Sequence, residues 1–169
     1  MNKDLQPLFE LFEENIKQLL ALCEGRTLVF DFDGTLTRFQ YAKDRMLPCR
    51  DEDIEQYTKD GGNIYENIYI LKTMKYIMSL LNKNDVYILT STVVALRPIK
   101  DKIIVDNFAV WQNHIIHTHN SAEKLDVLHK IYEKTGREII FFEDNYKILL
   151  NCEENTNFVK GYHISRLLP

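Results

Sequence analysis

Cysteine is scarce in this chain and supplies no framework. Cys23, Cys49 and Cys152 are far apart and odd in number. They offer neither a disulfide ladder nor the spacing of a metal site, and reduced thiols are the simplest reading. Cys152 does not open a Cys-x5-Arg loop, which removes thiol-based phosphoryl chemistry. A surplus of positive charge is missing too. Lys and Arg number 21 against 25 Asp and Glu, a net charge of −4. A surface that tracks extended nucleic acid is therefore not expected. The one basic cluster, Arg97, Lys100 and Lys102, is interrupted by Asp101 and Asp106. No apolar run approaches the length of a membrane span, so a membrane is not expected as partner. Asp4, Glu10, Glu13 and Glu14 near the start are the wrong chemistry for a secretory signal, and a cytoplasmic protein is the expectation. Internal repeats and low-complexity segments are also absent.

What is present suits a globular protein. Of 169 residues, 45% are hydrophobic and 27% charged, enough for one domain with a sizeable core. The run Thr27–Phe30 is apolar, β-preferring and too short for a helix, which predicts a buried parallel strand. It leads into Asp31-Phe32-Asp33-Gly34-Thr35-Leu36-Thr37. Residues i and i+2 share a strand face, and a turn at Asp33-Gly34 would swing the second carboxylate beside the first. Two carboxylates at a strand's C-terminal end repel each other unless a cation lies between them, and hard oxygen ligands suit Mg²⁺.

Further along, the apolar i, i+3, i+4 pattern predicts an amphipathic helix over 4–24 packed on the core. Residues 38–62 are polar and irregular, punctuated by Pro48 and Gly61-Gly62, with a short helix over 51–58. A long helix is expected over 63–81. A strand over 85–90 ends in Thr90-Ser91, and a helix over 93–104 follows, limited by Pro98. A short strand lies within 111–117. Ser121 is expected to cap a helix over 122–135 that Gly136 closes. A fourth apolar strand over 138–142 ends in Glu143-Asp144. A short helix over 146–152 and a strand over 158–164 complete the chain. Alternating strands and helices predict an α/β fold, a Rossmann-like three-layer sandwich around a parallel sheet. All its polar strand ends then share one edge.

Asp-Phe-Asp-Gly-Thr-Leu-Thr resembles the first motif of the haloacid dehalogenase-like (HAD) superfamily of phosphohydrolases. Three later features match in order: the strand ending in Thr90, Lys124 near a helix start, and the acidic pair Glu143-Asp144. The resemblance implies a Mg²⁺-dependent phosphatase. Asp31 would be the nucleophile and Asp33 the general acid and base. Thr90 and Lys124 would hold the phosphoryl group. Asp31, the Asp33 carbonyl, Asp144 and Glu143 would hold the metal. Lys130 competes with Lys124 for its role. His114, His117 and His119 invite a zinc reading, but no fourth ligand stands at good spacing.

No large insertion for a cap domain is evident, so the chain is expected to be capless or to carry only a small lid over 38–62. A capless family member implies an accessible or macromolecular substrate, such as a phosphoprotein, with a small phosphoester or nucleotide as the alternative. Phe39, Tyr41 and Tyr57 could wall the entrance and stack on an aromatic phosphoester such as phosphotyrosine. Dehalogenase or phosphomutase chemistry, and a non-catalytic binding module on the same fold, stay open.

Overall fold

The computed structural model describes residues 6–39, 51–66 and 68–167. In chain order the elements are α1 (Gln6–Cys23), β1 (Thr27–Phe30), β2 (Thr37–Phe39), α2 (Asp51–Lys59), β3 (Ile68–Ile70), α3 (Lys72–Leu80) and β4 (Val86–Ser91). They continue with α4 (Arg97–Phe108), β5 (Ile115–Thr118), α5 (Lys124–Thr135), β6 (Ile139–Glu143), α6 (Tyr146–Glu154) and β7 (Val159–His163).

Five strands form one parallel sheet in the order β5-β4-β1-β6-β7. Side chains alternate across it and meet helices on both faces, because successive residues of a strand point to opposite sides. Leu28, Phe30, Ile88, Ile140 and Phe142 join Ile16 and Leu19 of α1, Met74 and Ile77 of α3 and Ile104 of α4 in one cluster. Val29, Tyr87, Leu89 and Phe141 join Leu128 and Ile131 of α5 and Leu149 and Cys152 of α6 in the other. This is the three-layer α/β sandwich. The central strands are apolar throughout because both faces are covered. Across β1 and β6 the rings of Phe30 and Phe142 stack at 4.1 Å.

Connections from β1 and β6 run to opposite sides of the sheet, so a crevice opens between their C-terminal ends. That crevice is where Asp31 and Glu143 emerge.

The expected helix over 63–81 is only half present. Residues 72–80 form α3, but Ile68–Ile70 is a strand that pairs antiparallel with Thr37–Phe39. Two β-branched residues flanking a tyrosine fit a half-exposed ribbon better than a helical turn. The Leu71 N–H donates to the Leu36 carbonyl at 3.1 Å, anchoring the ribbon beside the Asp31 loop. Pro98 does not shorten its helix. It lies in the first turn of α4, where its missing N–H costs nothing, and α4 continues to Phe108. Asn120, not Ser121, caps the segment before α5. Its side chain accepts from the N–H groups of Ala122 and Glu123. Residues 40–50 of the expected lid, Tyr41 among them, and the side chain of Phe39 lie outside the described residues. Tyr57 is half-buried and packs against the first core cluster rather than standing free.

Candidate active site

The site starts from the turn that follows β1. The Asp31 N–H still donates to the Phe142 carbonyl at 2.9 Å, so Asp31 stays in register with β6. The Phe32 carbonyl then accepts from Leu36 N–H, Thr37 N–H and the Thr37 hydroxyl, at 2.9, 3.2 and 3.1 Å. Those three bonds close a tight loop that carries Asp33 and Gly34. Gly34 has φ of +84°, a region that costs a residue with a Cβ. A Cβ placed there would lie 2.3 Å from Asp144 Oδ2. Glycine thus lets the loop after β1 approach the end of β6.

Lys124 begins α5 and is buried. Its ammonium donates to Asp31 Oδ1 at 2.7 Å and to Glu143 Oε2 at 2.8 Å. Burial pushes the Asp31 carboxyl up to about 6, against the pull of Lys124. Burial, and then the Asp31 charge, push Glu143 up to about 8. Burial acts on Lys124 in the opposite sense, but its two carboxylates together outweigh it and raise the ammonium. Lys130 takes no part. It is exposed and lines a separate cavity of about 540 Å³ with Tyr87, His117 and Lys134.

Glu143 is doubly engaged, since its Oε1 also accepts from the Asn145 N–H at 3.1 Å. Asp144 is exposed, and its carbonyl is held at 2.8 Å by His163 Nε2. His163 Nδ1 accepts from the Ser165 N–H, which leaves Nε2 as the donor. His163 was not among the expected residues. It becomes relevant only because β7 lies beside β6.

Thr90, at the end of β4, is fully buried. Its hydroxyl oxygen accepts from Lys100 Nζ at 2.9 Å. Lys100 is the main departure from expectation. Counted as part of a surface basic patch, it is in fact fully buried, with its ammonium 2.6 Å from Asp33 Oδ2. A signal existed. Lys100, Ile104 and Phe108 recur every fourth residue on the buried stripe of α4. A lysine in apolar register needs a buried partner. Lys102 is exposed and pairs with Asp106 on the same helix, as a surface charge does.

The histidines do not form a metal site. His117 pairs with Asp101 at 2.6 Å, while His114 bonds to the Val86 carbonyl and stacks on Tyr87. Among the described residues, the metal-capable group is Asp31, Glu143 and Asp144, whose ligand oxygens lie within 4.8 Å of one another. The donors are all hard oxygens. Four carboxylates, Asp31, Asp33, Glu143 and Asp144, face two ammonium groups, Lys100 and Lys124. Fully ionised, the cluster lacks two positive charges, the charge of one divalent cation. The buried Asp33 Oδ1 has no hydrogen-bond partner. These features fit Mg²⁺, with Asp144 the least committed ligand and Glu143 already held by Lys124.

The sheet order and the carboxylates at its strand ends make this a Rossmann-like three-layer α/β fold, with no large cap among the described residues. No family model matches the chain, and neither does any curated protein. Among solved structures, it is similar to the HAD domain of the effector protein Lem4 from Legionella pneumophila. The two are 16% identical, the match covers 82% of this chain and 85% of that one, and the TM-score is 0.47.

Proposed function

We propose that this protein is a Mg²⁺-dependent phosphatase that hydrolyses phosphomonoesters through an aspartyl-phosphate on Asp31. The observation that carries the reading is the buried Lys124 bridge between Asp31 and Glu143, with Asp33 and Thr90 on the same sheet edge.

Asp31 attacks phosphorus, and the bond to the ester oxygen breaks as Asp33 gives that oxygen a proton. Asp33 then takes a proton from water as the water attacks the aspartyl-phosphate, which frees phosphate and restores the Asp31 carboxylate. Lys124 keeps Asp31 oriented and offsets part of the phosphate's charge. The Thr90 hydroxyl donates to a phosphoryl oxygen. Asp31, Asp144 and the Asp33 carbonyl, with Glu143 alongside, would hold Mg²⁺, which would supply the remaining positive charge that a carboxylate needs to approach a dianion.

The proposed substrate is an accessible phosphoprotein. Its support is the small ribbon of β2 and β3 where a cap would stand, together with two exposed apolar side chains after the site strands. Val94 follows β4 and is 66% exposed; Tyr146 opens α6 after β6 and is 65% exposed. Binding energy from such flanks reaches only a substrate with surface beyond its phosphate.

Turnover of 4-nitrophenyl phosphate, with Mg²⁺ and with chelator, tests the chemistry. Asp31→Asn is expected to lower kcat by about 10⁴-fold or more with the fold retained. Full activity in chelator, or in that variant, would refute the reading. A phosphopeptide should exceed a sugar phosphate in kcat/KM, and Tyr146→Ala and Val94→Ala should erode that margin alone. A sugar phosphate or nucleotide that proves far better would make this a metabolite phosphatase of the same chemistry.

A further inference from the structure

Lys100 has three N–H donors and three acceptors. They are Asp33 Oδ2 at 2.6 Å, Thr90 Oγ1 at 2.9 Å and the Ser91 carbonyl at 3.2 Å. Its ammonium also lies 5.3 Å from the ring centres of both Phe32 and Tyr65. Oxygens and aromatic faces therefore enclose it, and no donor is left over for a substrate phosphate. A fully buried ammonium is costly to keep, and replacing a whole buried ion pair by apolar residues of similar volume is often neutral or stabilising. The position thus calls for a reason beyond stability.

We propose that Lys100 is the positioning residue for the acid–base half of the site, holding Asp33 and Thr90 in working orientation without touching substrate. This rests on the phosphatase reading above. By binding Asp33 at Oδ2, Lys100 fixes the orientation of a carboxylate that stays partly exposed and so within reach of the ester oxygen and the water. By occupying a lone pair of Thr90, it directs the hydroxyl proton elsewhere, toward the phosphoryl group. Lys124 and Lys100 thus divide the work. One holds the nucleophile Asp31, the other holds the proton carrier Asp33.

The test compares wild type with Lys100→Met and Lys100→Gln, alone and combined with Asp33→Asn, on 4-nitrophenyl and phenyl phosphates. Either single variant should fold with a lowered Tm, because Asp33 and Thr90 lose their donor, lose about 100-fold in kcat and change KM by less than about 3-fold. The loss should be greater with phenyl phosphate, whose leaving oxygen needs the proton more. Adding Lys100→Met to Asp33→Asn should cost less than about 3-fold further, because both act on one step. Binding of inorganic phosphate, read by calorimetry, should be nearly the same in Lys100→Met as in wild type. A folded variant with wild-type kcat overturns the proposal, and so does a loss that multiplies with that of Asp33→Asn. Failure of both variants to fold would make Lys100 a residue of the fold and overturn it equally. If wild type itself is inactive with Mg²⁺, the phosphatase reading fails and this falls with it; full activity in Lys100→Met strikes this alone.

Discussion

At the scale of single residues, the site depends on close approaches that one atom can spoil. Gly34 combines a positive φ with the nearest approach to Asp144. Alanine there meets two penalties at once, backbone strain and displacement of the carboxylate. Gly34→Ala is expected to lose about 1–3 kcal/mol of stability. It should also lose most of the Tm gain on adding Mg²⁺, which thermal melts with and without the ion would read. Unaltered melts would show that the loop after β1 yields more easily than its hydrogen bonds indicate. Lys124 carries a different kind of dependence. Removing its ammonium would leave two buried acids facing each other, so Lys124→Met should be destabilised by about 3–5 kcal/mol. Urea unfolding would measure it. A loss below about 1 kcal/mol would mean that Asp31 and Glu143 relax by taking up a proton.

At the scale of elements, the direction of α5 decides where Lys124 arrives. That helix is entered through a short 3₁₀ turn, Ser121–Glu123, tied at its start by side chains. Asn120 accepts from the N–H groups of Ala122 and Glu123, and Glu123 returns the favour by accepting from the His119 N–H at 2.9 Å. This reciprocal arrangement is a variant of the capping box in which the carboxylate reaches one residue further back, to the N–H before the cap. Asn120→Ala should cost about 1 kcal/mol, and Asn120→Asp should retain most of that. Chemical denaturation of the two variants is the measurement. Equal stability of the alanine variant and wild type would show that packing alone directs the helix. The antiparallel ribbon of β2 and β3 has a comparable role at the other side, since it fixes the chain directly after Asp33 and Gly34.

At the scale of the whole molecule, the site is a store of unbalanced charge that a divalent cation would relieve. Without the metal, Asp31 at about 6 and Glu143 at about 8 keep protons that the unfolded chain gives up near its ordinary values of 3.8 and 4.5. Stability linked to these groups is therefore fully present below the ordinary carboxylate range. It is lost as pH rises through their raised folded values. The metal competes with those protons, so its stabilisation should grow over the same window. Melts from about pH 5 to about pH 8.5 should show Tm falling in chelator, and the Mg²⁺ gain rising to about 2.7 kcal/mol at a hundredfold excess over Kd. Glu143→Gln should flatten much of the fall in chelator. A Mg²⁺ gain that is constant across this range would contradict the shared site.

Much of this architecture was legible in the chain. Short apolar strands, each ending in Asp, Thr or Glu, imply a parallel sheet with one polar edge, because a strand buried on both faces can change character only at its end. The positions of Asp31, Asp33, Thr90, Lys124, Glu143 and Asp144 followed from that pattern and from the resemblance it supported. Three matters were decided only in three dimensions. Ile68–Ile70 became a strand because Thr37–Phe39 offered it an antiparallel partner, a contact that local periodicity does not encode. Pro98 proved harmless because the turn before it placed it at the start of α4. Lys100 became part of the site because the face of α4 that carries Ile104 and Phe108 also passes over the loop bearing Asp33. The charge of a residue is written in the sequence, but whether that charge meets water or a buried carboxylate depends on which surface its helix turns to the sheet.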